Sequence, residues 1–231
     1  MRSITLLFKV LWSPGEAMAS IARNPHCVLP LSLLICSSIA SAAVIKVKLP
    51  DLPLRVIERS PLSSTLADDA KKQMREQADS ASSWIFTMVF SGLRPVLVLL
   101  LVSGIYFSIF TIVGREGTFK AFFSIAAFAF VPMVFRQSAA VLSAFYVPAA
   151  SIMPDELGSL SPAVFLDRDS LPAPAFSSVN MIDIVSIWTL SLMAIGFAFV
   201  TSKRVSKGTR VGVVFGVFML YALIRLIIQI A

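Results

Sequence analysis

The sequence predicts an all-α membrane protein, a polytopic helical bundle of five transmembrane helices preceded by an N-terminal amphipathic interfacial helix. Three observations predict it. Of 231 residues 57% are hydrophobic and only 14% charged, too little charge to clothe a soluble domain of this length. The apolar residues gather into runs of about the ~20 residues that a bilayer crossing requires, apolar around the whole circumference of a helix. Charged or proline-bearing stretches part these runs, and no stretch demands a sheet. The balance of +7 is read as a topology signal, and no nucleic-acid partner is expected.

Residues 1–26 open the chain as a segment distinct from the five-helix domain 27–231. Ile4, Leu7, Phe8 and Leu11 follow helical spacing with Arg2 and Lys9 off that face, and Trp12 ends the piece at an interface. Ser13-Pro14-Gly15-Glu16 then reads as a new helix start: a serine cap, proline at the first helical position and glutamate three residues after the cap. Asn24-Pro25 stops it. Pro14, Glu16 and Arg23 interrupt any signal-peptide core, so the segment is expected to be retained and to lie on the membrane surface at the cytoplasmic side. The alternative is a pair of ordinary helices packed under the bundle.

The first span is expected at 27–45, with Ser37, Ser38, Ala40, Ser41 and Ala42 as a small-residue face and Lys46 and Lys48 at its end. Cys27 and Cys36 lie on it about 13 Å apart, at ~1.5 Å per residue, beyond disulfide reach. A polar extracytoplasmic loop, 46–92, follows, broken by Pro50, Pro53 and Pro61 and containing a charged soluble helix from Leu66 to Ala81. The apolar run from Trp84 to Val113 would be about 45 Å long as one helix, too long for one untilted ~30 Å crossing. Gly92, Arg94 and Pro95 are therefore expected to divide it into an interfacial approach and a second span at 95–113.

Gly114-Arg115-Glu116-Gly117-Thr118-Phe119-Lys120 is a tight charged turn that makes the next span antiparallel. A glycine at each end of Arg115-Glu116 lets the backbone turn without a Cβ penalty, Thr118 caps the following helix, and Phe119 and Lys120 anchor it at an interface. The third span, 119–135, carries Pro132 as an interior kink and Arg136 closes it, while the moderately apolar Ala139 to Tyr146 either extends it or lies along the surface. Residues 136–179 form the second extracytoplasmic loop, with five prolines and several acids between 148 and 178. The fourth span is expected at 180–200 and the fifth at 211–230, joined by the basic stretch Thr201 to Arg210.

Charge orients this bundle. With the N-terminus inside, the cytoplasmic segments hold Arg2, Lys9, Arg23, Arg115, Lys120, Lys203, Arg204, Lys207 and Arg210 against only Glu16 and Glu116. Positive charge in short cytoplasmic loops fixes orientation, which makes the C-terminus extracytoplasmic.

The Trp12-Ser13-Pro14 segment, GREGTFKAFFSIAAFAFVP and MIDIVSIWTLSLMAIGFAF together resemble the Yip domain family of five-span, Ypt/Rab-interacting membrane proteins over nearly the whole chain. The most specific part is the Gly-Thr-Phe-Lys turn with a proline about a dozen residues on, followed at a distance by Asp183 and Trp188. The sequence lacks the Asp-Leu-Tyr-Gly-Pro type motif of the eukaryotic branch, so Rab binding is not carried over. It is similar to the bacterial branch, and the resemblance implies a multi-pass protein of the bacterial inner membrane, some of whose relatives look like accessories to export systems.

Catalysis finds little support in the residues. His26 is the one histidine, at the membrane edge, with no HExxH or CxxC pair, so neither a metal site nor a cofactor is expected. Gly114 to Thr118 echoes a phosphate-binding loop without its spacing. An intramembrane serine protease needs a base within a span, and no span holds a histidine. No catalytic residue is named, and the chain is expected not to be an enzyme.

The remaining candidates are charges at depth and a row of glycines. Asp183, near the outer start of the fourth span, and Arg225, near the outer end of the fifth, are expected to meet as an intramembrane charge pair, with Arg94 and Arg136 on the same outer polar belt. Such a belt is either a polar pocket for anionic headgroups or a packing lock with snorkelling arginines. Gly208, Gly212 and Gly216 form a GxxxGxxxG row expected to admit another span of this chain, the alternative being an identical helix in a homo-oligomer. Two function classes result. One is a non-catalytic scaffold or adaptor with membrane lipids and a membrane-protein partner around it. The other is a small transporter, channel or lipid-handling protein, disfavoured because five spans do not divide into two repeats.

Overall fold

A computed structural model of the chain describes residues 2–52, 73, 76–77, 80–147, 157–166, 176 and 179–230. Among them every long element is a helix. These are α1 (Arg2–Trp12), α2 (Pro14–Arg23), α3 (Val28–Lys48), α4 (Ala81–Val113), α5 (Phe119–Ala129), α6 (Met133–Tyr146), α7 (Ile184–Phe197) and α8 (Lys207–Ile230), with a 3-10 turn at Pro162–Phe165. Four stretches are long and apolar enough to cross a membrane: α3, α4, the pair α5 and α6 taken together, and Lys207–Ile228 within α8. The expected soluble helix from Leu66 to Ala81 and most of the loop 148–178 lie outside the described residues.

The N-terminal helices are part of the core. Val10 of α1 and Ala17, Met18 and Ile21 of α2 are fully buried, in one cluster with Phe110, Phe122, Ile125, Phe128 and Phe197. The expectation of a segment lying on the surface is corrected for α2, which packs against α5 and α7. The apolar face that would float a helix on lipid serves equally well to seat it among other helices, and no local pattern separates the two. Helix α1 does leave Ile4, Phe8 and Trp12 exposed along one line. Ser13 stands at the N-cap of α2 without a side-chain cap bond, and Glu16 instead lies 3.8 Å from Lys9.

Helix α4 runs unbroken for 33 residues, with Pro95 inside it. This overturns the expected division at Gly92 to Pro95. Proline removes one backbone donor and crowds the carbonyl a turn earlier, and a helix flanked by others tolerates both because its neighbours satisfy the freed group. At ~1.5 Å per residue α4 reaches about 50 Å, so it tilts or projects beyond a ~30 Å apolar slab. Its first turns are tied to the end of α3: Lys46 Nζ donates to Ser83 Oγ at 2.8 Å and Thr87 Oγ1 at 3.3 Å and lies over the Trp84 ring.

Pro132 breaks the third apolar stretch. The chain forms tight turns through Phe130–Pro132 and restarts as α6, which continues past Arg136 to Tyr146, so that Ala139 to Tyr146 extends the helix. Helix α7 is shorter than its expected span of 180–200, with 14 residues from Ile184 to Phe197. Asp183 begins it by accepting from the backbone N–H of Ser186, and beyond Phe197 the chain leaves the helix for the partners described below.

Rings of Tyr106, Phe110, Phe122 and Phe197 lie at centroid separations of 5.1 to 5.9 Å at the junction of α4, α5 and α7. The Tyr106 hydroxyl donates to the Val214 carbonyl of α8 at 2.9 Å. In lipid, burial of apolar surface gives no net drive between helices, so close ring packing and such interhelical hydrogen bonds hold the bundle.

Candidate functional site

An acidic side chain in an apolar bundle must be partnered, and Asp183 has two partners. One carboxylate oxygen caps α7 at Ser186, and the other lies 3.1 Å from Arg136 Nη1, within ion-pair distance but off the line of a hydrogen bond. The Asp183 side chain is fully buried, whereas that of Arg136 is 34% exposed. The expected pairing of Asp183 with Arg225 is thereby corrected. Equal depth brought both arginines into range, but the turn at Pro132 swings the start of α6 onto the start of α7, and this sideways placement is invisible to a depth argument. Phe135 and Trp188, stacked at 6.1 Å, hold the same two helices together beside the pair.

The expected outer belt is one wall of a cavity. A cavity of about 520 Å³ opens between the helices, with Arg94 from α4, Arg136 from α6 and Arg225 from α8 among its lining residues. Ser38 and Ser41 come from α3, and Asn180 and Ser186 from the start of α7. Leu34, Val98, Leu99, Phe130 and Phe218 make the rest of the wall largely apolar. Its size lies in the range of small-ligand sites, about 300–1,000 Å³. Arg136 has Asp183 as counter-ion; among the described residues neither Arg94 nor Arg225 has a carboxylate within ion-pair distance. Arg94 is exposed at the mouth of the cavity and Arg225 is half-buried, so two cations without a carboxylate partner give this side of the bundle a positive character. The sequence pointed to all three arginines and to Ser41 only as part of a small-residue face; Gln137 and Asn180 carry no local signal that would place them here.

At the opposite end of α4, residues 114–120 form a turn stitched to the chain that follows α7. Gly114 adopts φ +133°, a conformation glycine alone takes without strain. The N–H groups of Glu116 and Gly117 both donate to the Val200 carbonyl at 2.9 Å, and Ser202 N–H donates to the Gly114 carbonyl at 2.9 Å. Thr118 accepts from the Ala121 N–H to start α5, and the Arg115 guanidinium lies 4.3 Å from the Phe107 ring centre, with Phe119 edge-on to the same ring. Lys120, Lys203, Arg204, Lys207 and Arg210 surround this junction in sequence, and Arg210 folds back to donate to the Val205 carbonyl at 2.8 Å. The turn and the loop after α7 are thus joined by backbone hydrogen bonds into one end of the bundle.

Among the described residues the glycine row meets no other span. A Cβ placed at Gly212 or Gly216 would meet nothing within 4 Å, and at Gly208 only Ser206 Oγ at 3.7 Å. The intrachain reading is corrected, because α8 joins the bundle mainly through α7 and leaves this row outside the contact. Gly212→Leu is accordingly expected to lower the unfolding free energy of the purified protein by no more than about 0.5 kcal/mol, as for uncontacted surface positions, with any helix-propensity change acting in favour of leucine. A clear loss of monomer stability in micelles would contradict this placement, whereas a smaller assembly by light scattering would assign the row to contact between copies.

Among the described residues no group of three or more His, Cys, Asp or Glu side chains converges. A family model of the Yip1 domain matches residues 8–228, which takes in both the cavity and the stitched turn. No curated protein and no solved structure matches the chain.

Proposed function

Because the chain belongs to the Yip1 domain family, we propose that it is a non-catalytic integral-membrane scaffold or adaptor that supports the assembly or regulation of another membrane system, in trafficking or export. The observation that carries this reading is the joined end built from residues 114–120 and 198–206. Three backbone hydrogen bonds between two otherwise separate connections, with basic residues around them, make a fixed rather than pliant surface. A surface fixed in advance binds a partner with less ordering entropy to lose.

The topology that accompanies this reading has five spans in a bacterial inner membrane, N-terminus cytoplasmic and C-terminus extracytoplasmic. Helix α7 is its fourth crossing, added to the four long apolar stretches: short at 14 residues, yet apolar, and followed by turns that bring Thr201 to a single bridge with Arg115. The stitched end then faces the cytoplasm together with its arginines and lysines, which accords with the rule that short cytoplasmic loops are positive. A reporter fused after Ala231 that is active only in the cytoplasm would overturn this orientation.

The adaptor reading predicts that gentle extraction of the tagged protein from its membrane, with lysine crosslinking and mass spectrometry, recovers a stoichiometric membrane-protein partner crosslinked through Lys120, Lys203 or Lys207. Recovery of the chain only with itself and lipid would end that reading. A second reading, a small transporter, channel or lipid-handling protein, is favoured by the arginine-lined cavity, which reaches Pro95 and Leu99 near mid-length of α4.

A further inference from the structure

We propose that the cavity is a binding site for a phosphate-ester anion, held between Arg94 and Arg225, with a membrane phospholipid headgroup as the source the lining favours. The inference concerns binding, and stands whether the chain acts as an adaptor or moves lipid.

Charge carries the first step. Three guanidiniums line the cavity, and the carboxylate of Asp183, buried behind Arg136, is already committed to Arg136 and to the cap of α7. Two positive charges are left over, on α4 and α8, on separate helices that line one space. A guanidinium presents a planar fork of donors that matches two oxygens of a phosphate, and it stays ionised in any environment the bilayer offers. An anion against exposed Arg94 and half-buried Arg225 supplies the charge partner that neither has among the described residues.

The lining then narrows the class. Apolar Val98, Leu99 and Phe218 share the wall with the arginines, and α4 presents Leu93, Leu97, Leu100 and Leu101 to the outside beside it. An amphiphile places its phosphate and its chain on these two surfaces at once; a free anion uses only the first. Phosphatidylglycerol has the net negative charge that two uncompensated guanidiniums select, which phosphatidylcholine lacks.

The test uses the full-length protein in a neutral detergent, titrated with phosphatidylglycerol, phosphatidylcholine or inorganic phosphate while bound lipid is counted by native mass spectrometry and thermal unfolding is followed. One phosphatidylglycerol per chain should bind at least about tenfold more tightly than phosphatidylcholine and raise the unfolding temperature. Equal binding of the two lipids would overturn the proposal without recourse to any variant. Saturation by inorganic phosphate with the same unfolding shift would uphold the phosphate chemistry and assign the source to a free anion. Arg94→Gln with Arg225→Gln should lose the single tight lipid while Arg136–Asp183 stays in place, and retention of it would overturn the site. Lys203→Gln with Arg204→Gln and Lys207→Gln, which removes loop charge away from the cavity, should retain it; loss there instead would show that the lipid sits on the basic loop and also overturn the proposal. Should the double arginine variant fold poorly, Arg94→Lys with Arg225→Lys keeps the charge and removes the fork, with weakening of several-fold expected.

Discussion

Asp183→Ala is expected to destabilise the folded protein by about 3–5 kcal/mol, the range for removal of one partner of a buried ion pair. Two losses add. The cap of α7 goes, worth about 1 kcal/mol, and Arg136 is left in the bundle without its counter-ion. Arg136 is partly exposed, so its share is screened and the total should fall toward the lower end of that range. Asp183→Asn retains an oxygen that can cap Ser186 and should lose less. Arg136→Gln leaves a fully buried carboxylate unpaired and should lose at least as much as Asp183→Asn. Chemical unfolding of the purified protein in micelles measures each. In the double variant Asp183→Asn with Arg136→Gln the losses should fall short of additive, and strict additivity would show that the two side chains are not coupled.

Gly196→Val is the second large effect expected. A Cβ at this position would lie 2.3 Å from Ile125 Cγ2 and 3.1 Å from Met18 Sδ, at the meeting of α7, α5 and α2. The methionine sulfur is at the flexible end of its side chain and can move aside. Ile125 is branched, fully buried and enclosed by the aromatic cluster, so α7 or α5 must shift instead. Overpacking of this kind costs typically 1–3 kcal/mol, and two further methyl groups place the valine variant at or above that range. The folded yield in membranes and the unfolding midpoint should both fall sharply. Gly196→Ala combined with Ile125→Ala should recover part of the loss of Gly196→Ala alone, because the atom in conflict is then gone. A wild-type midpoint for Gly196→Val would mean that the two helices do not approach as described.

The contrast between Gly196 and Gly212 shows where a sequence pattern misleads. The periodic row at 208, 212 and 216 carries the motif by which helices approach closely, yet it borders open space in this chain. The single glycine of α7, with no partner at i+4, is the one that lets three helices meet. A motif states that a surface is smooth enough for close approach; which helix arrives there depends on every other segment.

Class and punctuation could be read directly from the residues. Long apolar runs, the glycine-bounded turn with Thr118 as a cap, and the interruption at Pro132 are consequences of local chemistry: backbone polar groups in lipid demand helices, and glycine, threonine and proline have fixed local preferences. The resemblance carried by those same stretches reached the family. Tertiary structure alone decided the continuity of α4 through Pro95, the burial of α2, the choice of Arg136 over Arg225 for Asp183, and the joining of the 114–120 turn to Val200 and Ser202. Each of these turns on where a helix points around its own axis and which neighbour stands there. Composition and periodicity set how deep a residue lies and how apolar its face is; azimuth and neighbour come from packing the whole chain at once, and with them the three arginines became one cavity.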